Sequence, residues 1–441
     1  METSEIRLEA QDLNQQGAML MKIGNLEAAR EKFDRAIEIN PMLMDSYKNY
    51  GDLYMALQEY QNAKNLYKKA MLIEKHGLLH FLYGNACFMN DEVHEGLENY
   101  NQAISSGYDS TEMLFFMGMA YEHLNDDRMA LRYFQKAHIK NPSRPDYLVK
   151  KISCLVRLDM IESAEESVEE LLKTAPELYD GYHIKTQLLI HKGEVEQAIQ
   201  FAKYASDRFP EDADLMYDYI KCIALQKDYV TALKMIESAK KMKYFEDSKH
   251  KFVLLQAEVA AESNDYDLSI KCCEECISME TDEFFDGEAR FMLMNLHLAE
   301  PNFEKGLEYA MSIIAKDEED LYYYAALYYK PFCLKQLSKL DEARIAYKEA
   351  NSIYRLATLK DPAAIDIYLY RVMCLKDLEE YDKALELADF ILGLSTEIAE
   401  VYTLKSDIYR LTGKQALAKE ELEKAFSIKP ELRPKDSKDG E

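Results

Sequence analysis

Residues 47–70 read YKNYGDLYMALQEYQNAKNLYKKA. Tyr47, Tyr50, Gly51 and Tyr54 recur at spacings of three and four, and Tyr60, Ala63, Tyr67 and Ala70 do the same in the second half. Such spacings put side chains on one face of an α-helix, so the stretch reads as two amphipathic helices in succession. The pair Ala63/Ala70, seven apart, is repeated along the chain as Ala29/Ala36, Gly96/Ala103, Ala130/Ala137, Ala164/Leu171, Ala198/Ala205 and Ala232/Ala239. It continues as Ser269/Cys276, Gly306/Ile313, Ala343/Ala350, Ala384/Ile391 and Ala418/Ala425. The steps between successive pairs are 34, 33, 34, 34, 34, 34, 37, 37, 37, 41 and 34 residues, which makes twelve units.

Other landmarks keep their distance from the first small residue of each pair. Twelve residues before it stands another small one in many units (Gly17, Gly51, Gly84, Gly118, Thr186, Ser406). Nine before it is an apolar or aromatic residue (Leu20, Tyr54, Cys87, Tyr121, Leu155), and four after it often an aromatic ring (Phe33, Tyr67, Tyr100, Phe134, Tyr347). Twelve after it, Pro41, Pro142, Pro176, Pro210 and Pro430 stop a helix. Polar clusters such as Gly24-Asn25, Asn125-Asp126-Asp127, His191-Lys192-Gly193 and Ser263-Asn264-Asp265 divide each unit into two helices. Each unit is a helical hairpin, and no hairpin buries its apolar face alone, so neighbours must stack.

On these residues the chain resembles the tetratricopeptide repeat family over nearly its whole length. The resemblance implies an all-α fold, an α-α superhelix of about 24 antiparallel helices wound as a right-handed solenoid, whose first helices line a concave channel. Its small positions let neighbouring helices approach and its large ones fill the gaps. The spacing predicts a regular array of about seven repeats over 1–246, a less regular one of about five longer repeats over 247–432, and a disordered tail over 433–441. Extra residues around Phe245–Lys249, Phe284–Asp286, Leu321–Tyr323 and Thr358–Ala364 are expected to lengthen helices or loops, and Pro331 to kink or shorten a first helix. Polar residues at both ends, Glu5, Arg7 and Glu9 at one and Lys419, Glu420 and Glu421 at the other, read as caps of the array.

The chain's 441 residues carry a net charge of -26 with 48% hydrophobic residues, 15 Gly and 10 Pro. That composition is too apolar for a disordered acidic polymer and too poor in turn formers for an all-β protein. The acidic excess runs along the whole chain without a basic patch, which argues against nucleic acid and anionic membranes as partners. No apolar run is long enough for membrane insertion. Met1 to Glu5 lacks the basic start and apolar core of a secretory signal, so a cytoplasmic location is the expectation.

Nothing in the sequence is arranged for catalysis, and no cofactor is expected. No two glycines are closer than seven residues, which excludes phosphate-cradling glycine loops. Cys272, Cys273 and Cys276 are the strongest metal temptation, but Cys273 and Cys276 fall in register with Phe33 and Ala36, a core position. Cys87, Cys154, Cys222, Cys333 and Cys374 read as core in the same way. His76 and His80 stand i, i+4, but Gly77 between them marks a helix start, and His183 and His191 lack a third ligand. The runs Glu165-Glu166 with Glu169-Glu170, and Asp317–Asp320, read as solvated helix faces.

Function is therefore expected on the channel wall. Projected by the repeat register, two apolar groups face it: Phe81, Leu82, Asn85, Phe88, Met89, Phe115, Phe116 and Met119, and then Phe291, Met292, Asn295, Tyr328, Tyr329, Phe332, Leu369, Tyr370 and Met373. Between them the wall is polar, with Lys150, Ser153, Arg157, His183, Gln187, Asp218, Lys221 and Glu258. The apolar groups read as anchors for a partner, against packing between helices or self-association. Family members that clamp a chaperone's C-terminal carboxylate use Lys and Asn on three consecutive first helices. Here Asn85 is suitably placed, but Phe81 stands where the Lys would be and Phe116 where the next Asn would help. The reading is a non-enzymatic scaffold or adaptor holding a peptide or helix of a partner protein in its groove. The alternative is a peptide-sensing regulator that changes superhelix pitch, and the most remote is a hydrolase with a metal at Cys272, Cys273 and Cys276.

Overall fold

In the computed structural model, residues 2–279, 283–316 and 322–433 are described. The run Asp317–Asp320, Leu321 and the tail after Arg433 lie outside them. All the secondary structure among the described residues is helical: 24 α-helices, from Glu2–Lys22 to Gln415–Ile428, and one short 3-10 turn, Pro430–Leu432. They fall into two compact units, Met1–Phe209 and Pro210–Glu441. Each unit holds twelve helices, paired as six hairpins.

The hairpin turn is the same in all twelve. Five residues before the first small residue, the chain passes through a positive φ, from Gly24 at 80° through Asn125 at 57° and Asn264 at 63° to Gly413 at 77°. The next residue's amide then reaches back five positions to a carbonyl of the first helix. Asn25 bonds to Leu20, Glu59 to Tyr54, Asp126 to Tyr121, Glu380 to Leu375 and Lys414 to Tyr409. This left-handed cap satisfies carbonyls that the helix end would leave open. The acceptors are the residues found nine positions before each small residue in the sequence. Where the turn offers Asn or Asp, its side chain also caps the second helix, as Asn25, Asp126, Asp228, Asp265 and Asn302 do.

Packing inside the hairpin follows from volume. Ala29, Ala36, Ala63, Ala70, Ala130, Ala137, Ala198 and Ala205 are wholly buried, as close helix approach requires. The small residue of the first helix faces the aromatic of the second: a Cβ at Gly17, Gly51, Gly84 or Gly118 would lie 2.5 to 2.7 Å from Phe33, Tyr67, Tyr100 or Phe134. These four rings are fully buried, each contributing about 1.5–3 kcal/mol of burial energy. In the fifth, ninth and eleventh hairpins the second helix has a smaller residue and the first a larger one in the same buried cluster: Ile152 and Val168, Met294 and Ala310, and Val372 and Ala388. Two side chains thus share one volume in different proportions.

The inserted residues lengthen helices. Phe245–Glu262 has 18 residues, Glu283–Ala299 has 17 and Leu340–Lys360 has 21, against 13 in Met44–Ala56. Pro331 does not end its helix, which continues through it from Tyr323 to Gln336 with the ring buried.

Candidate partner-binding surface

In the first unit, the residues Phe81, Leu82, Asn85, Phe88 and Met89 lie on the helix Gly77–Met89, and Phe115, Phe116 and Met119 on Thr111–His123. Phe116 is half-buried and is the meeting point of three rings, with centroids 6.2 Å from Phe81, 6.4 Å from Phe88 and 6.3 Å from Phe115. Phe115 in turn lies 5.0 Å from Tyr147 of the next hairpin. Phe81 is buried, stacked on Tyr108 at 5.5 Å. Asn85 accepts a hydrogen bond from the Tyr100 hydroxyl at 2.8 Å, and Met89 is exposed. Leu82, Phe88 and Met119 are half-buried.

The second unit carries two open clefts. One, of about 580 Å³, is lined by Lys221, Leu225, Glu258, Glu288, Phe291, Met292, Asn295 and Tyr322 among others. The other, of about 660 Å³, has Phe291 and Tyr322 again with Tyr324, Leu369, Tyr370, Met373 and Leu404. Phe291 and Tyr322 stack with centroids 4.5 Å apart and planes at 17°, so one aromatic pair borders both clefts. Tyr370 stacks on Tyr354 at 6.0 Å, and burial pushes its phenol up to about 12. Tyr328 is buried and donates its hydroxyl to Asp377 at 2.9 Å. Tyr329 and Phe332 are half-buried neighbours, 6.3 Å apart, and neither lines either cleft.

The polar wall residues divide by engagement. Lys150 and Arg157 both bind Glu122, at 2.8 and 2.9 Å, and Arg157 also holds Asp127 at 2.6 Å. Glu258 and Glu288, by contrast, make no side-chain hydrogen bond or ion pair among the described residues. Burial is the main cause that raises both carboxyls above their usual range, and Lys221 pulls the other way. Sequence reading missed Glu288, Tyr322 and Leu404. Glu288 was legible, standing one turn before Phe291 and Met292 on the same helix, whereas Tyr322 lies among inserted residues where the repeat register is lost.

All eight cysteines are free and buried. Burial pushes the thiols of Cys272 and Cys276 up to about 11 and that of Cys273 to about 12. One trio of possible ligands converges among the described residues, Cys87 with Glu92 and Glu95. Lys64 already pairs with both of those carboxylates, and it supplies the positive charge a metal would bring. His76 caps the helix Gly77–Met89 by accepting from the Leu78 amide, while His80 bonds to Asn99 at 3.1 Å.

Residues 45–76 and 399–432, within the second and twelfth hairpins, match the tetratricopeptide repeat family. The ten hairpins between and before them carry the same small-residue register, the same left-handed turn and the same capping bond. The chain contains tetratricopeptide repeats. Part of the repeat array is 25% identical over 112 residues to the BBSome complex member BBS4 of Mus musculus, a match covering 25% of this chain and 22% of that one. The Bos taurus BBSome complex member BBS4 is 25% identical over 134 residues, 30% of this chain and 24% of its own. The likeness therefore spans under a quarter of either relative. Among solved structures, yeast Tom70 aligns over 97% of both chains at 14% identity with a TM-score of 0.47. A tetratricopeptide repeat fold is that of a protein–protein interaction scaffold, and no helix among the described residues is long and apolar enough to cross a membrane.

Proposed function

We propose that this tetratricopeptide repeat protein is a non-enzymatic scaffold that holds a peptide or helix of a partner protein against the apolar faces of its first helices. The observation that carries the reading is the Phe291–Tyr322 stack, which leaves aromatic and thioether groups of Phe291, Met292, Tyr370 and Met373 lining two open clefts. A fold packed for its own sake fills such space. Half-exposed aromatic and Met side chains are the groups that dominate affinity when a partner desolvates them. The ring cluster around Phe116 offers a second surface of the same kind in the first unit. Both relatives are members of a complex, which is in keeping with a role in assembly.

The experiment is affinity capture from cell extract with the native chain and two variants, Phe116→Ser and Tyr370→Ser, each verified as folded by its helical circular dichroism. A scaffold of this kind retains a reproducible set of proteins and loses at least one with one variant or the other. Identical retention by all three chains would reject the reading.

A further inference from the structure

The cleft bordered by Phe291 and Tyr322 has a chemical character that the apolar anchors do not explain. Its charged groups are Lys221 and Lys227 against Glu258, Glu262 and Glu288, an excess of one negative charge. Glu258 and Glu288 are each half-buried, and neither has an ion-pair or hydrogen-bond partner among the described residues. Lys221 lines the same cleft, but its ammonium stands 5.7 Å from the Tyr217 ring and forms no ion pair with either carboxylate. Half-buried carboxylates left without a partner are costly, and burial raises both carboxyls accordingly. A cation arriving from outside would relieve that cost.

The walls narrow the kind of cation. Leu225, Phe291, Met292 and Tyr322 would surround the stem and face of a long side chain, while the Asn295 amide adds one polar group. A guanidinium is planar, stacks on aromatic faces and donates to two carboxylates at once, where an ammonium acts as a point charge. The second cleft, bordered by the same Phe291–Tyr322 stack, has Ile367, Leu369, Tyr370, Met373 and Leu404 alongside Asp366, Glu400 and Thr403, a mostly apolar lining suited to an aliphatic side chain. We infer that the Glu258–Glu288 cleft receives an arginine side chain of a partner peptide, next to an aliphatic residue seated in the adjoining aromatic cleft. This rests on the scaffold reading and names the chemistry of its ligand.

The test titrates the full chain, labelled with carbon-13 at its Met methyls, with the peptide acetyl-Leu-Arg-Leu-amide and with its citrulline counterpart, following the Met292 and Met373 signals. Citrulline keeps the shape of arginine and removes the charge. The arginine peptide is expected to bind at least about tenfold more tightly than the citrulline peptide. In the double variant E258Q/E288Q, that preference is expected to fall to about one, with a melting temperature at neutral pH no lower than the native chain's. Equal binding of the two peptides, or a preference that survives the double substitution, would overturn the inference. Were both peptides to shift Met373 with equal affinity, the arginine assignment would fall while the scaffold reading stood. Failure of the arginine peptide to shift Met292 would also overturn the assignment, whereas the capture experiment with Phe116→Ser and Tyr370→Ser judges the broader reading separately.

Discussion

Gly51 lies directly against the ring of Tyr67, so that a Cβ at residue 51 would stand 2.5 Å from its Cε1 atom. The ring is also held at its far end, where the hydroxyl donates to Asp52 at 2.7 Å. It is buried on all sides and has no direction in which to retreat. Gly51→Ala is therefore expected to destabilise the chain by about 1–3 kcal/mol, the usual cost of overpacking, read as a lower midpoint of denaturant unfolding. Adding Tyr67→Val to Gly51→Ile reproduces the Ile152 and Val168 combination of the fifth hairpin, and is expected to be less damaging than Gly51→Ile alone. An additive double variant would refute the shared-volume account.

The hairpin turns carry strain at most of their left-handed positions. Glu379 has φ 65° and Lys227 has φ 66°, where glycine would sit without the Cβ clash. Glu379→Gly and Lys227→Gly are each expected to stabilise by a few tenths to about 1 kcal/mol, less than the full clash because glycine adds entropy to the unfolded chain. Thermal unfolding of the single variants checks the sign, and a fall in melting temperature for both would contradict it.

The carboxyls of Glu258 and Glu288 set a pH dependence. Their folded-state values lie above the ordinary 4.5, with burial as the largest cause. A raised acid favours the folded state while protonated, so this contribution is fully present below the unfolded value and is lost as pH rises through the folded one. Glu258→Gln is then expected to stabilise at pH 7 and to have little effect below about pH 4. Melting curves of variant and native chain at the two pH values measure it, and a gain of equal size at both would exclude the electrostatic cause.

The thiols make a further prediction. With burial pushing Cys87 and Cys154 to about 11 and Cys222 to about 12, hardly any thiolate exists at neutral pH. A thiol-reactive dye is expected to label the native chain only as fast as it opens, and all eight cysteines at once in denaturant. Rapid native labelling of Cys273 or Cys276 would reopen the reading of that cluster as reactive.

The repeat was legible because it is local. Small residues, aromatic partners and turn residues recur at fixed intervals, and each acts on neighbours within one hairpin, as the bond from the Asn25 amide to the Leu20 carbonyl does. Depth at the candidate surface was less legible. The helical period assigns Phe81 and Tyr328 to a face but does not say what covers that face. Phe81 is covered by Tyr108, from the loop entering the next hairpin, and Tyr328 is bound by Asp377, 49 residues away.

By itself the sequence determined the helical hairpin, its twelvefold recurrence and the burial of its cysteines, because period and side-chain volume act within some thirty residues of chain. Only the tertiary structure decided that Phe291 and Tyr322 stack at the border of two clefts, and that Glu258 and Glu288 line one of them with no hydrogen-bond or ion-pair partner among the described residues. Those relations join different hairpins, one of them through inserted residues, and the geometry between hairpins depends on how whole helices nest rather than on any spacing along the chain.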